Sequence, residues 1–158
     1  MKITELDLEI EDIEWYGVDE TGKIGLFMSG GSLAVPGFIC KSRDDLEKVC
    51  DFFDKLDVQI SNFVDINNDL VYQRQEFITE CKHMSQKGIY CFDISDDKNI
   101  DNKYIFVSKP EKPLLLDKLP IEIQTIMLDY RIMGANFEVD DAIIIWEYYV
   151  IYHYIFEL

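Results

Sequence analysis

Apolar and polar residues alternate along this chain in short, well-punctuated runs. Two apolar-aromatic stretches, Ile13 to Val18 and Lys23 to Met28, flank the connection Asp19-Glu20-Thr21-Gly22. A Gly closing a four-residue connection supplies the positive φ that a type I turn with a bulge requires, so the pattern predicts a β-hairpin. Gly30-Gly31-Ser32 breaks the second strand, and Pro36-Gly37 ends the loop that follows. The period then changes. Leu46, Val49, Cys50, Phe53 and Leu56 recur three or four residues apart, which predicts a helix with one apolar stripe and with Asp44, Asp51, Lys48 and Lys55 toward water. Ser42 is placed to cap its free amides, and Asp44 and Asp45 sit near the positive end of its dipole. A second, longer helix is predicted from about Asn68 to Lys87 on Leu70, Phe77, Ile78, Cys81 and Met84, with Gly88 as its stop. Each helix has a single apolar face, so both are expected on one side of a sheet.

Ile89 to Ile94 reads as a strand, Ser95 to Asn102 as a polar turn region, and Lys103 to Ser108 as a strand that pairs with the first. Lys109-Pro110-Glu111-Lys112-Pro113 is expected to end the pair, because neither Pro can donate to a ladder. A short helix follows over Leu119 to Tyr130, with Pro120 suited to its first position and Ile123, Ile126, Met127 and Tyr130 on one face. The last run, Ala142 to Phe156, is β-branched and aromatic; a strand is favoured, although periodicity alone does not separate a buried strand from a buried helix. Ala142 to Leu158 carries Glu147, His153 and Glu157 and falls short of the ~20 apolar residues of a spanning helix, so it is expected to be a buried structural element. No internal repeat, low-complexity tract or linker is visible. The expected architecture is a single α+β domain over residues 1–158: a mostly antiparallel twisted sheet with two or three helices packed on one side.

Charge narrows the function classes. With 15 Lys plus Arg against 31 Asp plus Glu, the formal charge is −16. Hydrophobic residues make up 48% of the chain, enough to exclude intrinsic disorder despite that charge. A surface so acidic repels phosphate backbones, so nucleic-acid binding is not expected and the partners should be cationic. The bland alternative is that the acidity only keeps the protein soluble. Acids gather in Glu5, Asp7, Glu9, Glu11, Asp12, Glu14, Asp19 and Glu20, and again in Asp44, Asp45, Glu47, Asp51, Asp54 and Asp57; after Arg131 there is no further Lys or Arg. Cys40, Cys50, Cys81 and Cys91 form no CxxC, and the opening Met1-Lys2-Ile3-Thr4-Glu5 lacks the apolar stretch of a secretory signal. A reducing cytoplasm is therefore expected, with Cys50 and Cys81 as core thiols on apolar helix positions.

The chain carries few candidates for chemistry. Only His83 and His153 are available as imidazole bases, and a thiol dyad of Cys81 with His83 has no flanking motif to support it. The cysteines and histidines lack the paired close spacings of zinc sites. Gly30-Gly31-Ser32 lacks the Gly-Lys-Ser/Thr and the immediate helix of a phosphate loop. The stretch Asp93-Ile94-Ser95-Asp96-Asp97-Lys98-Asn99-Ile100-Asp101 superficially resembles a calcium loop but has neither its central Gly nor its terminal Glu, and reads better as a solvated turn. Neither catalytic residue, cofactor nor metal is therefore expected. What remains is a surface. An acidic protein without a reactive centre acts by occupying something basic, with complementary charge speeding capture and buried aromatic anchors holding the complex. The expected contact residues are Asp44, Asp51 and Asp54 on the first helix, with Trp15 and Tyr16, and further Trp146 and Tyr149, as candidate anchors, each competing with a place in the core.

Two segments carry a family resemblance. Asp12-Ile13-Glu14-Trp15-Tyr16-Gly17-Val18-Asp19-Glu20-Thr21-Gly22-Lys23-Ile24-Gly25-Leu26-Phe27-Met28-Ser29-Gly30-Gly31 with Val35-Pro36, and later Lys112-Pro113-Leu114 with Leu119-Pro120-Ile121-Glu122-Ile123, are similar to the immunity proteins encoded beside bacterial polymorphic toxins. The similarity spans about two thirds of the chain in loose form, and its motifs are structural turns and core positions. It implies an intracellular binding protein that neutralises a cognate toxin, for which a basic nuclease is one candidate class, by direct contact and without catalysis, and it assigns no binding residues. A structural or regulatory module whose acidity is incidental is the alternative.

Overall fold

The computed structural model describes residues 1–70, 75–96 and 102–145. Within them the elements run α1 (Glu5–Ile10), β1 (Glu14–Val18), β2 (Ile24–Met28), α2 (Gly37–Cys40), α3 (Arg43–Lys55), β3 (Val64–Ile66), α4 (Gln75–Gln86), β4 (Tyr90–Ile94), β5 (Lys103–Pro110), α5 (Ile121–Met127) and β6 (Ala142–Ile144). Short 3-10 turns occupy Asn68–Leu70, Leu116–Lys118 and Leu128–Tyr130.

The hairpin forms where the pattern places it. β1 and β2 pair antiparallel with Trp15 opposite Phe27, and Gly22 takes φ +88° in the connection. Asp19 locks that connection. Its Oδ1 accepts from Thr21 N at 2.9 Å, Thr21 Oγ1 at 2.8 Å and Lys23 N at 2.9 Å, and its Oδ2 accepts from Phe137 N at 2.9 Å. A local turn residue thereby also fixes a segment more than a hundred positions away, and every acceptor bond it makes offsets the cost of burying its charge.

The sheet runs in the order β1-β2-β4-β5-β3, with β6 also on β5. It is α+β as expected, but mixed: β2 and β4 are parallel, with Phe27 opposite Phe92. The chain leaves β2 and passes through α2, α3, β3 and α4 before it returns, and a crossover of that length lets β4 enter in the same direction. The remaining pairings are antiparallel, including the expected β4–β5 pair, which shifts register between Cys91 and Phe92. The outer edge of β5 is shared: β6 pairs with its first half and β3 with its second. Here β5 exceeds the sequence expectation. It continues through Lys109 and Pro110 because Pro110 lies at the strand's last position, opposite Val64.

Side-chain alternation separates two faces of the sheet. On one, Trp15, Phe27 and Phe92 form a stack with ring centroids 4.2 and 5.0 Å apart, covered by Phe137 and edged by Tyr104. On the other lie α3 and α4, together on one side as expected. Tyr16 stacks on Phe53 of α3 at 4.5 Å, and Ser85 of α4 meets Ser108 of β5 at 2.7 Å. Ser42 caps α3 by accepting from Asp45 N, as its position predicts. Five α-helices form among the described residues, more than the two or three expected. The additional ones are short: α1, closed by a Thr4–Asp7 capping box and tied to α3 by Arg43, which reaches Asp7 at 3.1 Å and Glu11 at 3.0 Å, and the single turn α2. Of the second predicted helix, the described residues show α4 over Gln75–Gln86 and, at its expected beginning, a 3-10 turn over Asn68–Leu70. Pro120 is the residue before α5 rather than its first, and Tyr130 falls in the 3-10 turn after it. Of the apolar C-terminal run, residues 142–144 are a strand as favoured; Trp146, Tyr149 and His153 lie outside the described residues. No helix of the described residues is long and apolar enough to cross a membrane.

Candidate functional site

Asp44, Asp51 and Asp54 all stand exposed on α3. At 100° per residue these three positions and Glu47 fall within one narrow stripe of the helix, opposite the buried Leu46, Val49 and Phe53. None of the ion pairs among the described residues involves any of the four. The stripe is therefore mainly negative, flanked on the same exposed side by Lys48 and Lys55, one turn on from Asp44 and Asp51.

Trp15 and Tyr16 have a different place. They are 0% and 1% exposed, so neither offers a surface to a partner in this structure. Trp15 donates through Nε1 to Tyr104 Oη at 3.2 Å, and Tyr104 in turn donates to the Ala34 carbonyl at 2.6 Å. The polar edge of the indole, the feature that suits Trp to interfaces, is already satisfied within the core. Tyr16 is fixed against Phe53.

The lower end of the α3 stripe opens into a groove of about 590 Å³ between α3 and α4. Leu26, Met28, Cys81 and Met84 give it an apolar floor, while Glu14 from β1, Asp54 from α3 and Glu80 from α4 bring three carboxylates to its walls. On the α4 side, Glu80, His83, Met84 and Lys87 follow one another at spacings of three, one and three, so a single helical stripe faces the opening. Glu14 gets there because it shares a sheet face with Tyr16 and Val18, the face that α3 and α4 cover.

Electrostatics inside the groove is one-sided. Although much of its side chain is open to solvent, the Glu14 carboxyl titrates above its ordinary range, first because the surrounding protein displaces water and then because Asp54, Glu80 and Asp12 are negative. Lys87, the lysine at this site, is committed elsewhere. Its Nζ donates to the Phe53 carbonyl at 2.8 Å and the Asp54 carbonyl at 3.1 Å, capping the negative end of α3 with an ammonium whose pKa burial lowers, against the opposing pull of Asp54 and Asp57. Just beyond the floor, Asp93 lies opposite Met28 in the parallel register, and burial lifts its carboxyl to about 6.

The thiols do not take part in this chemistry. A hydrogen bond with Cys91, and then burial, push the Cys81 thiol far up, and Cys91 donates to the Cys81 carbonyl at 3.6 Å beneath the Ser85–Ser108 pair. Cys81 points to the sheet while His83, two residues on, is exposed, so the two do not form a dyad. Among the described residues, no three acidic, imidazole or thiol side chains are gathered closely enough to hold a metal ion. Glu14, Asp54 and Glu80 thus line the groove without forming a metal-type cluster.

Sequence reading named Glu14 only among the early acids, placed Met28 and Met84 only as apolar positions of a strand and a helix, and did not name Glu80. A carboxylate on the inward-facing positions of β1 is the signal that marks Glu14, because that face is otherwise apolar. Comparison with protein-family models, with curated proteins and with solved structures finds no match.

Proposed function

We propose that this chain is a non-catalytic binding protein of the cytoplasm that neutralises a basic partner protein, a toxin of the kind that accompanies the immunity proteins it resembles, by laying the acidic side of α3 and the adjoining groove against the partner's cationic surface. The observation that carries this reading is the run of carboxylates from Asp44 through Glu47, Asp51 and Asp54 to Glu14 and Glu80 in the groove, which outnumber the neighbouring Lys48 and Lys55 and form no ion pair among the described residues. Like charges held together cost the fold some stability, and a cationic partner removes that cost on contact. Four free thiols support a reducing compartment. A nuclease is the partner class that fits best, because an enzyme that grips phosphates needs a basic face, and covering that face excludes its substrate without any reaction.

Co-expression with the product of the neighbouring gene tests the proposal. Growth should be restored by the wild-type chain and lost with the triple variant Asp44→Lys, Asp51→Lys, Asp54→Lys expressed to the same soluble level. Killing that persists despite soluble wild-type protein would remove the toxin-neutralising reading. Rescue by the triple variant would remove α3 as the contact face.

A further inference from the structure

The groove has a definite chemical preference. Its floor is formed by two thioethers and an aliphatic side chain, Met28, Met84 and Leu26, and its walls by carboxylates from three separate elements. A purely apolar side chain entering it would leave Glu14, Asp54 and Glu80 less hydrated and unpaired, which is unfavourable. A small ion would find no three of these groups gathered to ligate it among the described residues. A lysine satisfies one carboxylate at a time and carries a tightly bound water shell, whereas a guanidinium is planar, weakly hydrated and directs five N–H donors outward in a fixed fork. Its three methylenes match the apolar floor, and its plane packs favourably against polarisable sulfur.

We propose that the α3–α4 groove is a receptor for a single arginine side chain projecting from a loop of the partner protein, with Met28, Met84 and Leu26 receiving its stem and Glu14 and Glu80 accepting from its guanidinium. This rests on the binding function proposed above and specifies which partner residue anchors the complex. The raised titration of Glu14 fits the assignment, since a cation between Glu14, Asp54 and Glu80 relieves their repulsion. Lys87 does not compete for the position, because its ammonium is held by the Phe53 and Asp54 carbonyls. His83 and Cys81 are the other titratable groups lining the groove, and Asp12 is near enough to Glu14 to act on its charge.

The chain contains five methionines, and two of them line the groove. Met127 is buried elsewhere, and Met1 and Met133 are exposed elsewhere, so the five methyl groups report site and background in one spectrum. With methyl-labelled methionine in the full chain, N-acetylarginine amide should shift the Met28 and Met84 signals saturably in the millimolar range expected of a one-residue ligand, leaving the other three unmoved. N-acetyllysine amide should bind several-fold more weakly, and N-acetylleucine amide should leave all five in place. The double variant Glu14→Gln, Glu80→Gln should weaken arginine binding about tenfold, as removing charge-assisted contacts to a partly exposed cation predicts. Asp129→Asn, exposed and outside both the groove and α3, should not change it. Unmoved Met28 and Met84 signals, an equal response to lysine or leucine, or unchanged arginine binding in the double variant would each overturn the assignment. These readouts use no toxin, so they fail or succeed independently of growth rescue.

Discussion

Asp19 offers a sharp test of how this fold is held together. It is a fully buried carboxylate whose two oxygens satisfy three backbone amides and one hydroxyl, joining the β1–β2 connection to Phe137. Asp19→Ala orphans those donors. The Phe137 amide is buried and cannot recover a water, which costs about 2–3 kcal/mol; the Thr21 and Lys23 amides lie nearer solvent and lose about 1 kcal/mol each. The sum, about 4–5 kcal/mol, is a large part of the roughly 5–15 kcal/mol that stabilises a domain. Asp19→Asn keeps an acceptor for the turn but presents an NH₂ group to Phe137 N, so it should lose about half as much. Urea denaturation of the two variants and the wild type gives the free energies, and hydrogen exchange at the Phe137 amide gives the local effect. The expected melting shift for Asp19→Ala is roughly 8–20 °C at this chain length. A loss below 1 kcal/mol, or full destabilisation with Phe137 exchange unaltered relative to its neighbours, would refute the reasoning, because the cross-chain bond would then not be what the carboxylate contributes.

Three further outcomes follow from the same structure. Lys87→Met should lower stability by about 1–3 kcal/mol in urea denaturation, since it keeps the apolar stem but leaves the Phe53 and Asp54 carbonyls without their ammonium donor. Gly88→Ala should cost about 2–4 kcal/mol, because φ there is +97° and an added Cβ would lie 2.6 Å from Leu114 N, a backbone atom that cannot step aside; a melting temperature equal to wild type would contradict this. The carboxyl of Asp93 titrates at about 6, above its value in an unfolded chain, so the protonated form is the one the fold favours: its contribution to stability is complete below about pH 4 and is lost as pH rises through about 6. Asp93→Asn should therefore be the more stable protein at pH 8, by at most about 3 kcal/mol and less after solvent screening, with the difference shrinking toward pH 4; a difference that grows on acidification would contradict the sign.

The parts of the fold that were legible in the sequence are those whose cause is local. The β1–β2 hairpin follows from a turn chemistry contained in Asp19 to Gly22, and α3 from a cap and an apolar stripe within fifteen residues. The pairing of β2 with β4 is not local, since it depends on where α3 and α4 deposit the returning chain. β3 has three residues, too few to display alternation, and exists because β5 offers it an edge. α1 escaped notice because Leu6, Leu8 and Ile10 alternate like a strand, although Thr4 and Asp7 form a capping box; only Leu8 enters the core. The site divides in the same way. The α3 stripe is periodic and visible, whereas the groove draws Glu14, Asp54 and Glu80 from three elements that only tertiary packing brings together. Trp15 and Tyr16 illustrate the converse: residue types common at interfaces are here absorbed by the core, through a hydrogen bond to Tyr104 and a stack on Phe53.

The central claim is that negative charge on α3 and its groove captures a basic partner. The most direct measurement is the association rate with the product of the neighbouring gene, followed by stopped-flow fluorescence over a range of ionic strength. Wild type should associate fast and slow steeply with added salt, and the variant Asp44→Lys, Asp51→Lys, Asp54→Lys should be slower by at least about tenfold with a flattened or inverted salt dependence. Equal rates and equal salt dependence for the two proteins would contradict the claim.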